Sequence, residues 1–267
     1  MITVIIPIHD FNETIKTYLT TGLNSIYRQL DVENSNVFVV HPTKISSNII
    51  SFISEYCGDR DINLSSIENT GNFDFQSQVN FAANFIKTPY FSILEFDDEY
   101  SEIYFKNAEQ YIKAYPDVDL FLPITVEVDI NGRSIGLIND MGWSRDFVGE
   151  DGEQGFLNID SLKRHTSFSI TGGIYKIDSF INAGKLKKNI KLTFGYEYLL
   201  RVLNSGQKVM IIPKAGYKHV IARDGSLFLE YTNTINMKQR KFWFDTANKE
   251  YYFPVDREID LTTISTT

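Results

Sequence analysis

The chain has 267 residues, 43% of them hydrophobic and 22% charged, a composition that builds a packed core and excludes a disordered chain. Lys and Arg total 26 against 34 Asp and Glu, and the net charge of −8 excludes a nucleic-acid binder held by general electrostatics. A lone cysteine, Cys57, excludes an internal disulfide framework and a Cys-rich zinc site, and it points to a reducing compartment with the cytoplasm as the expected location.

The first residues up to Pro7 have no basic start and meet a proline early, so they are expected to be neither signal peptide nor membrane anchor but a buried strand over Thr3 to Ile6. Apolar runs elsewhere, such as Val37 to Val40 and Val209 to Ile212, fall far short of the roughly 20 residues of a membrane helix, so no membrane span is expected. Asp10 with Glu13 three residues on resembles a capping box and predicts a helix whose core stripe is Ile15, Leu19, Leu23, Ile26 and Leu30. Val37 to Val40 reads as a second buried strand. Ser46 to Cys57 reads as a helix with Ile49, Ile53 and Tyr56 on one face and Gly58 as its stop.

A third strand fits Ile62 to Ile67, followed by the loop Asn69 to Asp74 and a helix carrying Val79, Ala82, Ala83 and Ile86, which Pro89 ends. Tyr90 to Phe96 is an apolar strand running into Asp97, Asp98 and Glu99. Strands alternating with helices predict an α/β fold, a mostly parallel sheet flanked by helices, with ligands beyond the carboxyl ends of the strands. Further on, Phe105, Ala108 and Ile112 mark a helix and Val118 to Ile124 a strand, and residues 139 to 155 form a Gly- and acid-rich loop. Phe168 to Tyr175 is strand-like, Phe194 to Asn204 helical with Gly206 after it, and Lys208 to Ile212 a strand. With no repeat and no linker, one domain over 1–267 is expected, with a nucleotide-binding half at 1–100, an acceptor-binding half at 101–222 and a C-terminal extension at 223–267.

The sharpest chemical feature is the acidic cluster Glu95, Asp97, Asp98 and Glu99 at the end of an apolar strand. Strand alternation would put Glu95 and Asp97 on one face, where both could hold Mg²⁺ or Mn²⁺ and, through it, phosphate oxygens. A solvated acidic turn accounts for the same pattern equally well.

In this context the chain resembles the family 2 glycosyltransferases of the GT-A fold. Thr3 to Pro7 matches that family's first strand, Asn69-Thr-Gly71 its N-x-G loop and Asn80 with Ala82 the helix that follows. Leu94-Glu95-Phe96-Asp97-Asp98 matches its L-D-x-D-D strand end, here in ExD form. Gly172-Gly173, Phe180 with Gly184, Glu197 to Arg201, Gly206 to Lys208, Pro213 and His219 continue the pattern in order, so the likeness spans about residues 1 to 220. It departs at His41-Pro42-Thr43, where the family has D-D-x-S with a base-contacting Asp, and at Phe194 to Glu197, where one carboxylate stands in place of the family's acidic pair.

The resemblance implies an inverting, hexosyltransferase-like enzyme that moves a sugar from a nucleotide-sugar, read as UDP-linked, to a hydroxyl of a glycan or glycoconjugate. Donor binding then falls to Pro7, Ile8, Asn69, Gly71, Asn80, Glu95, Asp97, Gly173 and Arg223. Metal binding falls to Glu95, Asp97 and His219, with Mn²⁺ or Mg²⁺ as cofactor, and the general base is Glu197. Read by itself, Glu197 could equally cap its helix or pair with Arg201, and His219 could be an ordinary surface histidine. Lys238, Arg240 and Lys241 fit a diphosphate clamp or a solvated basic face, and Asp146, Glu150 and Asp151 are expected to be solvated. Two rivals remain: a catalytically impaired binding protein of the same fold, and a nucleotidyltransferase. The latter lacks its Gly-rich, basic phosphate loop after the first strand, where Ile8 to Phe11 stands.

Overall fold

The computed structural model describes residues 2–30, 35–60, 62–140, 155–221, 223 and 225–250. The first strand, β1 (Ile2–Pro7), is buried at every position. Its even-numbered side chains pack with Val37 and Val39 under α1 (Glu13–Tyr27) and α2 (Ser46–Cys57), while Ile5 faces the opposite core with Val40, Phe91 and Ile93. Burial on both faces is why this strand reads as an unbroken apolar run and not as an alternation.

Around β1 the sheet is parallel, in the order β3 (Leu64–Asn69), β2 (Asn36–Pro42), β1, β4 (Tyr90–Ile93). Helix α3 (Phe75–Ala82) follows β3 and is capped by Asp74, whose side chain accepts from the Ser77 N–H. The short β5 (Glu99–Tyr100) and α4 (Tyr104–Ala114) lead to β6 (Leu120–Val128), which pairs antiparallel with β7 (Ser134–Ile138). After α5 (Ile159–Arg164), the three-residue β8 (Ile174–Lys176) joins β4 to β6, antiparallel to both. Helices α6 (Ile177–Asn182) and α7 (Phe194–Asn204) precede β9 (Val209–Val220), which lies parallel to β6 and antiparallel to β5. Helices α8 (Leu227–Thr234) and α9 (Met237–Glu250) end the described chain. The fold is α/β, with nine strands among the described residues in one mixed sheet, and no helix among those residues is long and apolar enough to cross a membrane.

Several local expectations change. Asn12, and not Asp10, caps α1 by accepting from the Ile15 N–H, because the chain is still extended at Asn12 (φ −149°, ψ 178°). Leu30 lies beyond the end of α1 and is 50% exposed. Phe168 to Gly173 is not strand: the chain turns at Gly172, with φ +72°, before β8 begins. The strand expected over Lys208 to Ile212 continues to Val220, with register shifts beside Pro123 and Ile124. Most of the 139–155 loop lies outside the described residues, as do Asp146, Glu150 and Asp151.

The Gly172 turn is set by packing as well as by dihedral. A Cβ there would lie 2.3 Å from the Tyr217 ring, while the Gly172 carbonyl accepts from the Tyr104 hydroxyl at 2.7 Å. Gly172→Ala is therefore expected to cost at least about 1–3 kcal/mol of stability, from overpacking added to left-handed strain. Urea unfolding followed by circular dichroism would measure this, and an unchanged midpoint would contradict it.

Candidate active site

The acidic cluster is built by a turn and not by a strand. β4 stops at Ile93, the Leu94 N–H donates to the Ile5 carbonyl at 2.9 Å, and the chain then folds back so that the Asp98 N–H donates to the Glu95 carbonyl at 3.0 Å. The Glu95 N–H donates to the Tyr217 hydroxyl at 3.1 Å, which fixes the turn against β9. Asp98 is fully buried. Its Oδ1 accepts from the Val220 N–H at 3.0 Å and its Oδ2 pairs with His219 Nδ1 at 2.8 Å. One ligand atom each from Glu95, Asp98 and His219 lies within 4.8 Å of the others. Asp97, expected beside Glu95 on a strand face, stands outside that trio because the turn breaks the alternation. It lies with Glu95 in the wall of a neighbouring slot and feels the Arg223 charge.

Crowding these carboxylates shifts their titration. Burial, then the Asp98 charge, pushes Glu95 up to about 8. Burial and Asp98 likewise push Asp97 up to about 6, against the opposing pull of Arg223. Burial alone would lower His219, but the Asp98 hydrogen bond and the charges of Asp98, Glu95 and Asp97 outweigh it and raise the imidazole to about 10. Without a cation the site therefore holds protons that a divalent ion would displace. Carboxylate oxygen with one imidazole is a donor set suited to Mn²⁺ or Mg²⁺. The ligand atoms that lie together are those of Glu95, Asp98 and His219, the Asp98 contact to Nδ1 orienting the ring, while Asp97 stands in the adjoining wall.

Two cavities meet here. A narrow slot of 20 Å³ is walled by Pro7, His9, Gln78, Glu95, Asp97 and Phe228. A broad cleft of 560 Å³ shares Glu95, Ser226 and Phe228 with it. Phe228, on α8, packs against Phe75 at 5.2 Å and stacks on Phe194 at 5.9 Å between ring centroids, so α8 lies along both cavities. The Arg223 guanidinium sits 4.0 Å over the Tyr18 ring, and its Nη1 is buried with no hydrogen-bond partner among the described residues.

Other predicted site residues are not brought here. Ile8 has its side chain in the core and donates its N–H to the Val40 carbonyl. Asn69 shapes its own loop, accepting from the Gly71 N–H and donating to the Asn72 carbonyl. Asn80 clamps the backbone of Leu186 with both ends of its amide. Gly173 is buried, with Leu120 and Leu122 tight against it. Lys241 pairs with Asp245 along α9 and an Arg240 guanidinium nitrogen donates to the Thr232 carbonyl, so the basic run belongs to the outside of that helix.

Glu197 does a different job from the one expected of it. It is fully buried in α7, and its two oxygens accept from Arg201 Nε at 2.7 Å and Nη2 at 3.1 Å. Arg201 in turn donates to the carbonyls of Ala183 and Lys185. The carboxylate is an internal counter-ion with no face toward either cavity. Sequence reading passed over His9, Gln78 and Thr171, which line the cavities, and Tyr217, which braces the turn. His9 follows directly on the Pro7 strand end and could have been found there; the other three are placed by tertiary packing alone.

No protein-family model matches the sequence, and no curated protein matches it. Among solved structures, it is similar to Staphylococcus aureus TarS 1-349 in complex with UDP-GlcNAc, with a TM-score of 0.66 and 15% identity over 91% of this chain and 63% of that one. The chain has the GT-A glycosyltransferase fold. The mannosyltransferase PcManGT from Pyrobaculum calidifontis, in complex with GDP-Man and Mn²⁺, shares this GT-A fold with a TM-score of 0.63 and 15% identity over 91% of this chain and 64% of that one. Against a longer S. aureus TarS structure the TM-score is 0.60 at 16% identity, and the chain spans 36% of that protein's length.

Removing the Glu197 charge leaves Arg201 buried with its counter-ion gone. Glu197→Gln is thus expected to cost on the order of 3 kcal/mol of stability, read as a lowered thermal midpoint. An unchanged midpoint with lost turnover would restore Glu197 to the chemistry.

Proposed function

We propose that this chain is a metal-dependent glycosyltransferase that moves a hexosyl group, with inversion, from a nucleotide-sugar, read as UDP-linked, to a hydroxyl of a glycan or glycoconjugate. The observation that carries the reading is the convergence of Glu95, Asp98 and His219 at a strand end, with Asp97 in the adjoining wall, in the same fold as proteins solved with UDP-GlcNAc and with GDP-Man and Mn²⁺. In the transfer, the acceptor oxygen forms a bond to the anomeric carbon as the bond to the diphosphate oxygen breaks, and the acceptor proton passes to a base.

Glu95, Asp97 and His219 Nε2 would hold a divalent cation, which offsets the charge gathering on the departing diphosphate. Arg223, propped on Tyr18 with a free Nη1 among the described residues, adds a directed donor for the same oxygens. Pro7 and His9 border the donor's place at the end of β1. Among the described residues Glu95 is the single carboxylate lining the broad cleft, and as a metal ligand it cannot also take the acceptor proton. Asp151, in the 139–155 segment, is the first residue to test as base.

One observation favours a second reading, a protein that binds a nucleotide-sugar without transferring it: the Glu197 carboxylate is sequestered by Arg201. Asp151→Asn in a transfer assay with Mn²⁺ separates the two. A fall of about a hundredfold in turnover with donor affinity unchanged supports transfer with this base, whereas a wild-type chain that binds donor and never releases sugar supports the second reading.

The pH dependence of metal binding has a definite sign. Glu95 and His219 carry protons below about 8 and about 10 in the metal-free protein, so cation binding expels protons and tightens as pH rises. Calorimetric Mn²⁺ affinity should rise from pH 6 to pH 8.5. Asp97→Asn should abolish the metal-dependent part of UDP binding while the fold, judged by circular dichroism, is kept. Equal UDP affinity with and without metal in the wild type would overturn this assignment.

A further inference from the structure

The broad cleft bears on the identity of the acceptor, which rests on the transferase reading and goes beyond it. Its walls carry the rings of Phe168, Phe194, Tyr196, Phe228 and Phe244, interleaved with the hydroxyls of Ser169, Thr171, Thr193 and Thr232. No Lys or Arg lines it among the described residues, and His219 is committed to Asp98. The rings are fixed in parallel pairs: Tyr196 lies on Phe244 at 4.6 Å and 14°, and Phe194 on Phe228 at 5.9 Å and 19°. Beside these pairs, the Tyr196 hydroxyl and Thr193 Oγ1 are buried without a hydrogen-bond partner among the described residues. A cleft that joins ring faces to hydroxyl-bearing side chains suits a ligand with apolar faces and hydroxyls of its own.

We propose that this cleft is an acceptor subsite for an uncharged glycoside, and that it discriminates against acceptors bearing a carboxylate or phosphate. A pyranoside offers apolar C–H faces to the rings and hydroxyls to the serine and threonine side chains interleaved with them. An anion placed there would lose its hydration next to Glu95 and the buried Asp98, and the cationic side chain of the lining, His219, is already paired with Asp98, on a chain whose net charge is −8. Selectivity therefore comes from what the wall withholds as much as from what it offers.

The test uses matched probes that differ in one group: phenyl β-D-glucoside and phenyl β-D-galactoside against the corresponding phenyl glycosiduronic acids. Each is titrated onto the full chain by saturation-transfer NMR, with Mn²⁺-dependent UDP binding measured on the same sample. The neutral partner is expected to bind on the order of tenfold more tightly than its uronide in at least one pair. Phe244→Ala should weaken that binding. Thr232→Lys, an exposed position on α8 whose change spares the core, should shrink the neutral preference at least severalfold by adding a lysine cation to the wall. Uronides binding as tightly as neutral glycosides, no binding of either kind, or a neutral preference indifferent to both substitutions would each overturn the proposal. Loss of Mn²⁺-dependent UDP binding alongside an intact neutral preference would strike the transferase reading and leave the cleft assignment standing.

Discussion

The constraint on which the site depends is the burial of Asp98. A carboxylate with no exposed surface persists only where its oxygens are fully partnered, and here both partners, Val220 N–H and His219 Nδ1, come from the far end of the chain. This one side chain therefore ties the turn after β4 to the end of β9. The Tyr217 hydroxyl makes a second tie by accepting from the Glu95 N–H, and that ring presses on Gly172. Glu95, Asp98 and the imidazole are held in register by these contacts and not by any property of the acidic segment itself.

Burying these carboxylates has a cost, and the Asp98 charge beside them adds to it, both visible in the raised titration of Glu95 and Asp97. The fold tolerates it because the cluster sits at a strand end, where packing elsewhere in the sheet fixes the backbone. The same trade appears inverted at Glu197. There a carboxylate on the first turn of a helix is fully neutralised by Arg201, which also gathers the carbonyls of Ala183 and Lys185. Neighbouring Asn80 secures Leu186 in the same stretch. Residues that resemble catalytic signatures here brace the wall behind the cavities.

How much of this was legible in the sequence depended on how local each signal is. Helices α2 and α7 coincide with their predicted spans, because 3.6-residue periodicity and a glycine stop are written within a dozen residues. β1 was legible as a buried run closed by Pro7. The fold and the acidic end of β4 followed from element order. The Glu197–Arg201 pair, four residues apart, was one of the readings open in the sequence; what failed was what depended on contacts across the chain, the ties of Glu95 and Asp98 to β9 and the amide clamp made by Asn80. The residue types were informative. Their partners, 106 to 122 positions away, were not.

The pairing of β6 with β9 has a consequence for how the protein comes into being. Strands β1 to β4 and their helices join neighbours close in sequence and can dock early, whereas Leu120 waits for Val209 and Asp98 waits for Val220. As the chain is synthesised, the acidic turn emerges long before the residues that satisfy it, and until then it stays hydrated and mobile. The acidic corner is thus the last part of the sheet to consolidate, and any chain interrupted before β9 would carry strands β1 to β4 without the groups that complete it.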